Sequence, residues 1–358
     1  MFMVDHIFNI ERKQMIRRLI SLIMCLIMVL SLASCGRSED MVQAEDDDGT
    51  IEIGFTFDSF IIERWERDRD VFVSRAHDLG VEVNVQNANG DVDTQISQIE
   101  YFIEKKVNAI VIVAVDCEAL SGAIAKAHRA GIKVISYDRL ISNANTDLYI
   151  SFDNNEVGAL MAESIVSQIG PEGSVLEING PLTDTNVPAV VEGFENGLTR
   201  TGINVLDVYH CNGWRPEYAF DYINRYLAEH PDEIPDAIMC GNDSIAGQTI
   251  KALSEHKLAG DIIVTGQDAD VEACQRIVEG TQYMTVYKPV EKLAGRAADL
   301  VVELVTKGYV DIKDTASDGT YDVPYEKLDP IEVTAENMDE VIIGTFHQRS
   351  EVYLNVDH

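Results

Sequence analysis

Acidic, amide, guanidinium and indole side chains recur along this chain, each just behind a short apolar run. Glu63-Arg64-Trp65 follow the first such run, and Asp138-Arg139 follow Val-Ile-Ser-Tyr. Asp184-Thr185-Asn186 lie beyond Leu-Glu-Ile-Asn-Gly-Pro, and Asn212-Gly213-Trp214 come after Val-Tyr-His-Cys. Asn242-Asp243 follow Ile-Met-Cys-Gly, Gln267-Asp268 follow Val-Thr-Gly, and Lys288 follows Thr-Val-Tyr. A sugar hydroxyl both donates and accepts, so it asks for Asp or Asn on one side and Arg or Lys on the other. Charge-assisted bonds of this kind contribute about 1.5–3 kcal/mol each in a dry site. The C–H faces of a pyranose are apolar and pack against flat rings, and the chain holds only two tryptophans. Taken singly, each position has a plainer reading. Asn242 reads as a helix N-cap, Asp138-Arg139 as a surface ion pair, and Trp65 as core. Their joint occurrence at the same end of successive runs points to one site for a sugar.

The elements that must position these groups alternate in type. Strand-like runs are Ile51–Phe57, Val81–Val85, Ala109–Val113, Lys133–Tyr137 and Tyr149–Phe152. Further runs are Ser174–Ile178, Val205–Tyr209, Ala237–Met239, Ile262–Thr265 and Tyr283–Val286. Amphipathic, helix-like stretches begin near Glu63, Val92, Ala119 and Asn154. Such alternation gives parallel sheets with helices on both faces. Two sheets of about five strands suit the length better than a single sheet of ten. The expected fold is therefore α/β with two lobes, in which ligands sit outside the carboxyl ends of the strands.

Composition excludes several classes of function. A formal net charge of −33 argues against nucleic acid, because phosphate binding needs Lys and Arg to release counterions. The chain has no G-x-S-x-G, H-E-x-x-H, P-loop or G-x-G-x-x-G, and its eight histidines are scattered. No catalytic residue is assigned, and the protein reads as a non-enzyme without a cofactor. Asp91-Val92-Asp93 lacks the glycine and distal glutamate of a calcium loop, so no metal site is assigned. Of six cysteines, Cys117, Cys211, Cys240 and Cys274 fall in the body and read as buried free thiols, although one disulfide stays open.

Leu19–Leu32 is an apolar run preceded by Arg12, Lys13, Arg17 and Arg18 and followed by Ala33-Ser34-Cys35. A basic segment, a short apolar segment and small residues make a secretory signal. The run is shorter than the roughly 20 residues of a membrane span. Leu32-Ala33-Ser34-Cys35 resembles the bacterial lipobox, which implies a diacylglyceryl group on Cys35. Residues 1–34 are then the signal, with Met15 as a start of the usual length. Residues 35–49 end in Glu45-Asp46-Asp47-Asp48 and read as a flexible acidic stalk. The mature protein is expected outside the membrane, tethered to it by lipid.

Several longer motifs carry a family resemblance. They are Glu63-Arg64-Trp65-Glu66-Arg67-Asp68-Arg69-Asp70, Val85-Gln86-Asn87-Ala88-Asn89-Gly90 and Gln95-Ile96-Ser97-Gln98-Ile99-Glu100. Tyr137-Asp138-Arg139, Tyr149-Ile150-Ser151-Phe152-Asp153-Asn154, Gly266-Gln267-Asp268-Ala269-Asp270 and Met284-Thr285-Val286-Tyr287-Lys288-Pro289 complete the set. From about Ile51 to Ser350 the chain resembles the D-xylose-binding branch of the type I periplasmic-binding proteins. The resemblance implies two Rossmann-like lobes with parallel sheets, joined by a three-segment hinge. The first lobe would comprise 50–151 plus 288–312, and the second 152–287 plus 313–350. It implies an aromatic slot from Arg64, Trp65 and Trp214, with Asp138 and Arg139 as the hydroxyl-binding pair of the first lobe. Asp184, Asn186, Asn242 and Asp268 would supply polar contacts from the second lobe, and Lys288 a contact beside the hinge. Thr185, Val187, Pro188 and Asn212 depart from the family pattern, so galactose, arabinose and multiple-sugar binding stay open beside D-xylose. The partner implied is an ABC permease. A membrane histidine kinase or chemoreceptor is the alternative, since the ligand chemistry would be identical.

Overall fold

The computed structural model describes residues 50–356; Cys35, the apolar run before it and the acidic segment to Gly49 lie outside the described residues. Ten strands follow the expected order. They are β1 (Glu52–Phe57), β2 (Glu82–Asn87), β3 (Ala109–Ile112), β4 (Lys133–Tyr137), β5 (Leu148–Phe152), β6 (Ser174–Asn179), β7 (Asn204–His210), β8 (Ala237–Cys240), β9 (Ile263–Gln267) and β10 (Met284–Tyr287). Three more, β11 (Thr315–Ser317), β12 (Asp322–Leu328) and β13 (Ile331–Thr334), complete two sheets. The first runs β11-β12-β5-β4-β3-β1-β2 and the second β13-β10-β9-β8-β6-β7. Pairing within β1–β5 and within β6–β10 is parallel, which needs a helix after nearly every strand.

One boundary differs from expectation. Residues 313–328 were assigned with the second lobe, yet β12 pairs in parallel with β5, Tyr325 opposite Tyr149 and Leu328 opposite Phe152. β11 adds to β12 as an antiparallel edge. This stretch is polar and turn-rich in sequence, and only its pairing with β5 makes it strand. The chain therefore passes between the sheets at Phe152–Asn154, Tyr287–Val290 and Leu328–Ile331. The third passage lies well beyond residue 312.

Side chains cap some of the helices. Asp91 accepts from Thr94 N–H at 2.6 Å and Asp153 from Glu156 N–H at 3.3 Å. In the second lobe the helix Asn154–Ile169 lies tightly against the helix Asn186–Leu198. A Cβ on Gly158 would stand 1.9 Å from Val190 O, and one on Gly193 1.9 Å from Asn155 O. That approach brings the N-terminus of the second helix, with Asn186, beside Asn154 at the first passage. Asn154 Nδ2 donates to Asn186 Oδ1 at 2.9 Å.

Candidate sugar-binding site

Strand ends from both sheets converge on one cleft. Arg64, Trp65, Asp138, Arg139, Asp184, Asn186, Trp214, Asp268 and Lys288 all line it, together with Ile62 and Gln267. About 290 Å³ of space not filled by atoms, part of it open to solvent, lies between these side chains. In a more open depression near Gln86 and Tyr101, Asp91 caps a helix, Ser97 donates to Asp93 O, and Gln98 is engaged by Thr56 and Asn87 O.

Arg64 opens the helix Arg64–Asp78, and its guanidinium meets three carboxylates. Nη2 donates to Asp138 Oδ2 at 2.7 Å, Nε stands 3.3 Å from Asp68 Oδ2, and Nη1 stands 3.8 Å from Asp268 Oδ1. Its carbon centre lies 4.3 Å from the Trp65 ring centroid. Arg139 donates from Nη1 to Asp58 Oδ2 and Ala114 O, both at 2.7 Å. Its Nε stands 2.7 Å from Asp184 Oδ2 but is not aligned for a hydrogen bond. Arg139 also lies 5.6 Å from the Trp65 ring, so one indole carries two guanidiniums.

The second lobe answers across the cleft. Asn186 Nδ2 donates to Asp138 Oδ1 at 2.9 Å, and Trp214 Nε1 donates to Asp184 Oδ2 at 3.0 Å. Lys288 Nζ stands 3.6 Å from Asp268 Oδ1. The Trp214 ring lies flat over Gly180, where a Cβ would come within 2.4 Å of it. Asp138, Trp214 and Asp268 hold left-handed φ values of 64°, 57° and 96°. Such backbone costs about 1–3 kcal/mol per residue and persists where the surroundings over-determine it.

Charge and burial combine in a way that suits hydroxyl groups. Burial acts to raise the Asp138 carboxyl, but Arg64, Lys288 and Arg139 outweigh it and hold the group below the usual carboxylate range. Burial opposes the charges on Arg64 and Arg139, and the neighbouring carboxylates raise both. Burial lifts Asp58 despite its pairing with Arg139. Arg64 Nε and Nη1, Trp65 Nε1 and Gln267 Oε1 are buried with no aligned hydrogen-bond partner. Arg64, Trp65 and Gln267 all line the cleft, so Arg64 Nη1, Trp65 Nε1 and Gln267 Oε1 leave bonding capacity there beside fixed charges.

Asn242 is the exception among the candidates. It does not line the cleft, and its Oδ1 accepts from Ile245 N–H at 2.9 Å, capping the helix Asp243–Glu255. Its Oδ1 thus serves as the N-cap, because an Asn before a helix meets an orphan N–H within its own turn. The sequence places Gln267 at the end of β9 beside Asp268 without assigning it a contact; Asp58 and Asp68 matter only through partners distant in the chain. Among the described residues no cluster of His, Cys, Asp or Glu suits a metal ion, and Cys117, Cys211, Cys240 and Cys274 are free and buried.

Comparison with known proteins adds relatives to this geometry. The family described as periplasmic binding protein domain matches residues 53–308. The D-xylose-binding periplasmic protein of Haemophilus influenzae is 41% identical over 85% of this chain and 92% of its own length. That of Escherichia coli is 40% identical over 84% and 92%. A solute-binding protein from Clostridium phytofermentans, solved with bound β-D-glucose, superposes with a TM-score of 0.78 at 28% identity, covering 84% of this chain and 99% of that one.

Proposed function

Because the chain belongs to the periplasmic binding protein domain family, we propose that it captures a monosaccharide outside the membrane, D-xylose before other aldoses, and delivers it to an ABC importer. The observation that carries this reading is the cleft itself. Arg64, Asp138, Arg139, Asp184, Asn186, Asp268 and Lys288 offer donors and acceptors in alternation around two indole rings. Asp184 and Asn186 of one lobe meet Arg139 and Asp138 of the other, so a ligand there touches both. Contacts on two lobes give a ligand differential affinity for the closed state. Names of the two 40–41% identical relatives put D-xylose first, and the glucose-bound neighbour keeps hexoses as comparators.

Calorimetry with D-xylose, L-arabinose, D-ribose and D-glucose tests this, alongside solution scattering. The expected result is a dissociation constant near micromolar for D-xylose, about −8 kcal/mol, weaker binding of the others, and a smaller radius of gyration with sugar. No heat and no thermal shift with any aldopentose or aldohexose would overturn the assignment.

A further inference from the structure

Behind the cleft, one helical turn after Arg64, lies a carboxyl that does not reach the cavity. Asp68 is fully buried and does not line the cleft. Its Oδ2 stands 3.3 Å from Arg64 Nε, and its Oδ1 accepts a hydrogen bond from the Tyr137 hydroxyl. Tyr137 is itself fully buried and immediately precedes Asp138. Asp68 therefore stands at ion-pair distance, without an aligned hydrogen bond, behind a guanidinium whose other nitrogens face Asp138 and Asp268.

The charged surroundings of Asp68 are few. Arg64 faces it from its own helix, Tyr137 and Asp138 from the end of β4, and Asp268 from the loop after β9. On the helix Val290–Lys307, which packs against this one, Glu291 is engaged by Arg67 and Tyr287, and Asp299 by Arg75. Arg64 is thus the cation that meets Asp68 among the described residues.

We infer that Asp68, seated on Tyr137, is a positioning residue that orients Arg64 toward the ligand and makes sugar affinity depend on its own ionisation. This rests on the sugar-binding reading above. Burial pushes the Asp68 carboxyl up to about 7, against the opposing pull of Arg64 and the Tyr137 hydroxyl. Ionised, the carboxylate attracts the guanidinium as an ion pair and holds its charge in place. Protonated, it loses its charge and that hold with it. Affinity accordingly rises as pH climbs through the Asp68 titration, and binding expels a proton.

The test is calorimetry with D-xylose from about pH 5.5 to about 8.5, in buffers of different ionisation enthalpy, a range centred on that titration. The wild type should bind roughly tenfold tighter at the upper end, the scale of one charge-assisted bond. Asp68→Asn should bind weakly with no inflection. Tyr137→Phe keeps the ring but removes the donor that favours the carboxylate, so its inflection should move to higher pH. This second variant decides the matter if Asp68→Asn does not fold. A flat wild-type profile, an unchanged inflection in Asp68→Asn, or an unmoved one in Tyr137→Phe would each overturn the inference while leaving sugar binding intact. Absence of binding by the wild type at every pH would overturn the sugar-binding reading, and the inference with it.

Discussion

Two tryptophans show how one residue serves stability and recognition together. Trp65 is 2% exposed and Trp214 8%, and both belong to a continuous apolar cluster that also lines the cleft. Core and slot are therefore not alternatives for either ring. Trp65→Ala should cost about 3–5 kcal/mol of stability, as large-to-small core changes do, because it also uncovers two guanidiniums. Trp214→Phe separates the roles better. It keeps a ring against Gly180 but removes the indole N–H that donates to Asp184. Its sugar-free melting temperature should stay within a few degrees of wild type while sugar affinity falls about tenfold, the scale of one hydrogen bond to a charged group. Thermal melts and calorimetry on the two variants check this. A Trp214→Phe protein with unchanged affinity would remove Trp214 from the site.

The packing of helix on helix decides whether the second lobe delivers its polar groups. Gly193 lets the helix Asn186–Leu198 approach so closely that an added Cβ would meet Asn155 O at 1.9 Å. Real Cβ atoms do not make that contact, so the helix must move away, carrying Asn186 and loosening Asp184. Gly193→Ala should destabilise by about 1–3 kcal/mol, the usual cost of overpacking, and weaken sugar binding as well. Gly295 sits within the helix Val290–Lys307 with nothing near its Cβ direction. Gly295→Ala should stabilise by about 0.4–1 kcal/mol through reduced unfolded-state entropy, with affinity unchanged. Melting curves that rank these two variants in the opposite order would refute the packing account.

Across the whole molecule, three chain passages join the two sheets. A binding protein that works beside a transporter gains from being held at the membrane, and Leu32-Ala33-Ser34-Cys35 is the segment we propose for that tether. A diacylglyceryl group supplies the two chains that stable anchoring needs. Mass spectrometry of the protein from its native host should find Cys35 acylated and N-terminal, and Cys35→Ala should lose lipid labelling while retaining sugar binding. An unmodified Cys35 in the mature protein would refute the anchor.

Local pattern encodes a large part of this fold directly. Ten strands could be read from short β-branched runs, and the residues ending them included nearly every group that lines the cleft. Periodicity and position in a βα unit suffice for both. The tertiary structure alone decided the rest. Polar, turn-rich Thr315–Leu328 becomes strand only because β5 offers it a partner, and that pairing moves the third passage to Leu328–Ile331. Asn242 caps a helix through its Oδ1, which accepts from an N–H three residues on. Asp58 and Asp68 look like ordinary surface acids in sequence. Their roles depend on Arg139 and Tyr137, which lie 81 and 69 residues away and meet them only when the strands align. Pairwise electrostatics of this kind has no local signature, because its strength is set by burial and by partners that folding alone brings together.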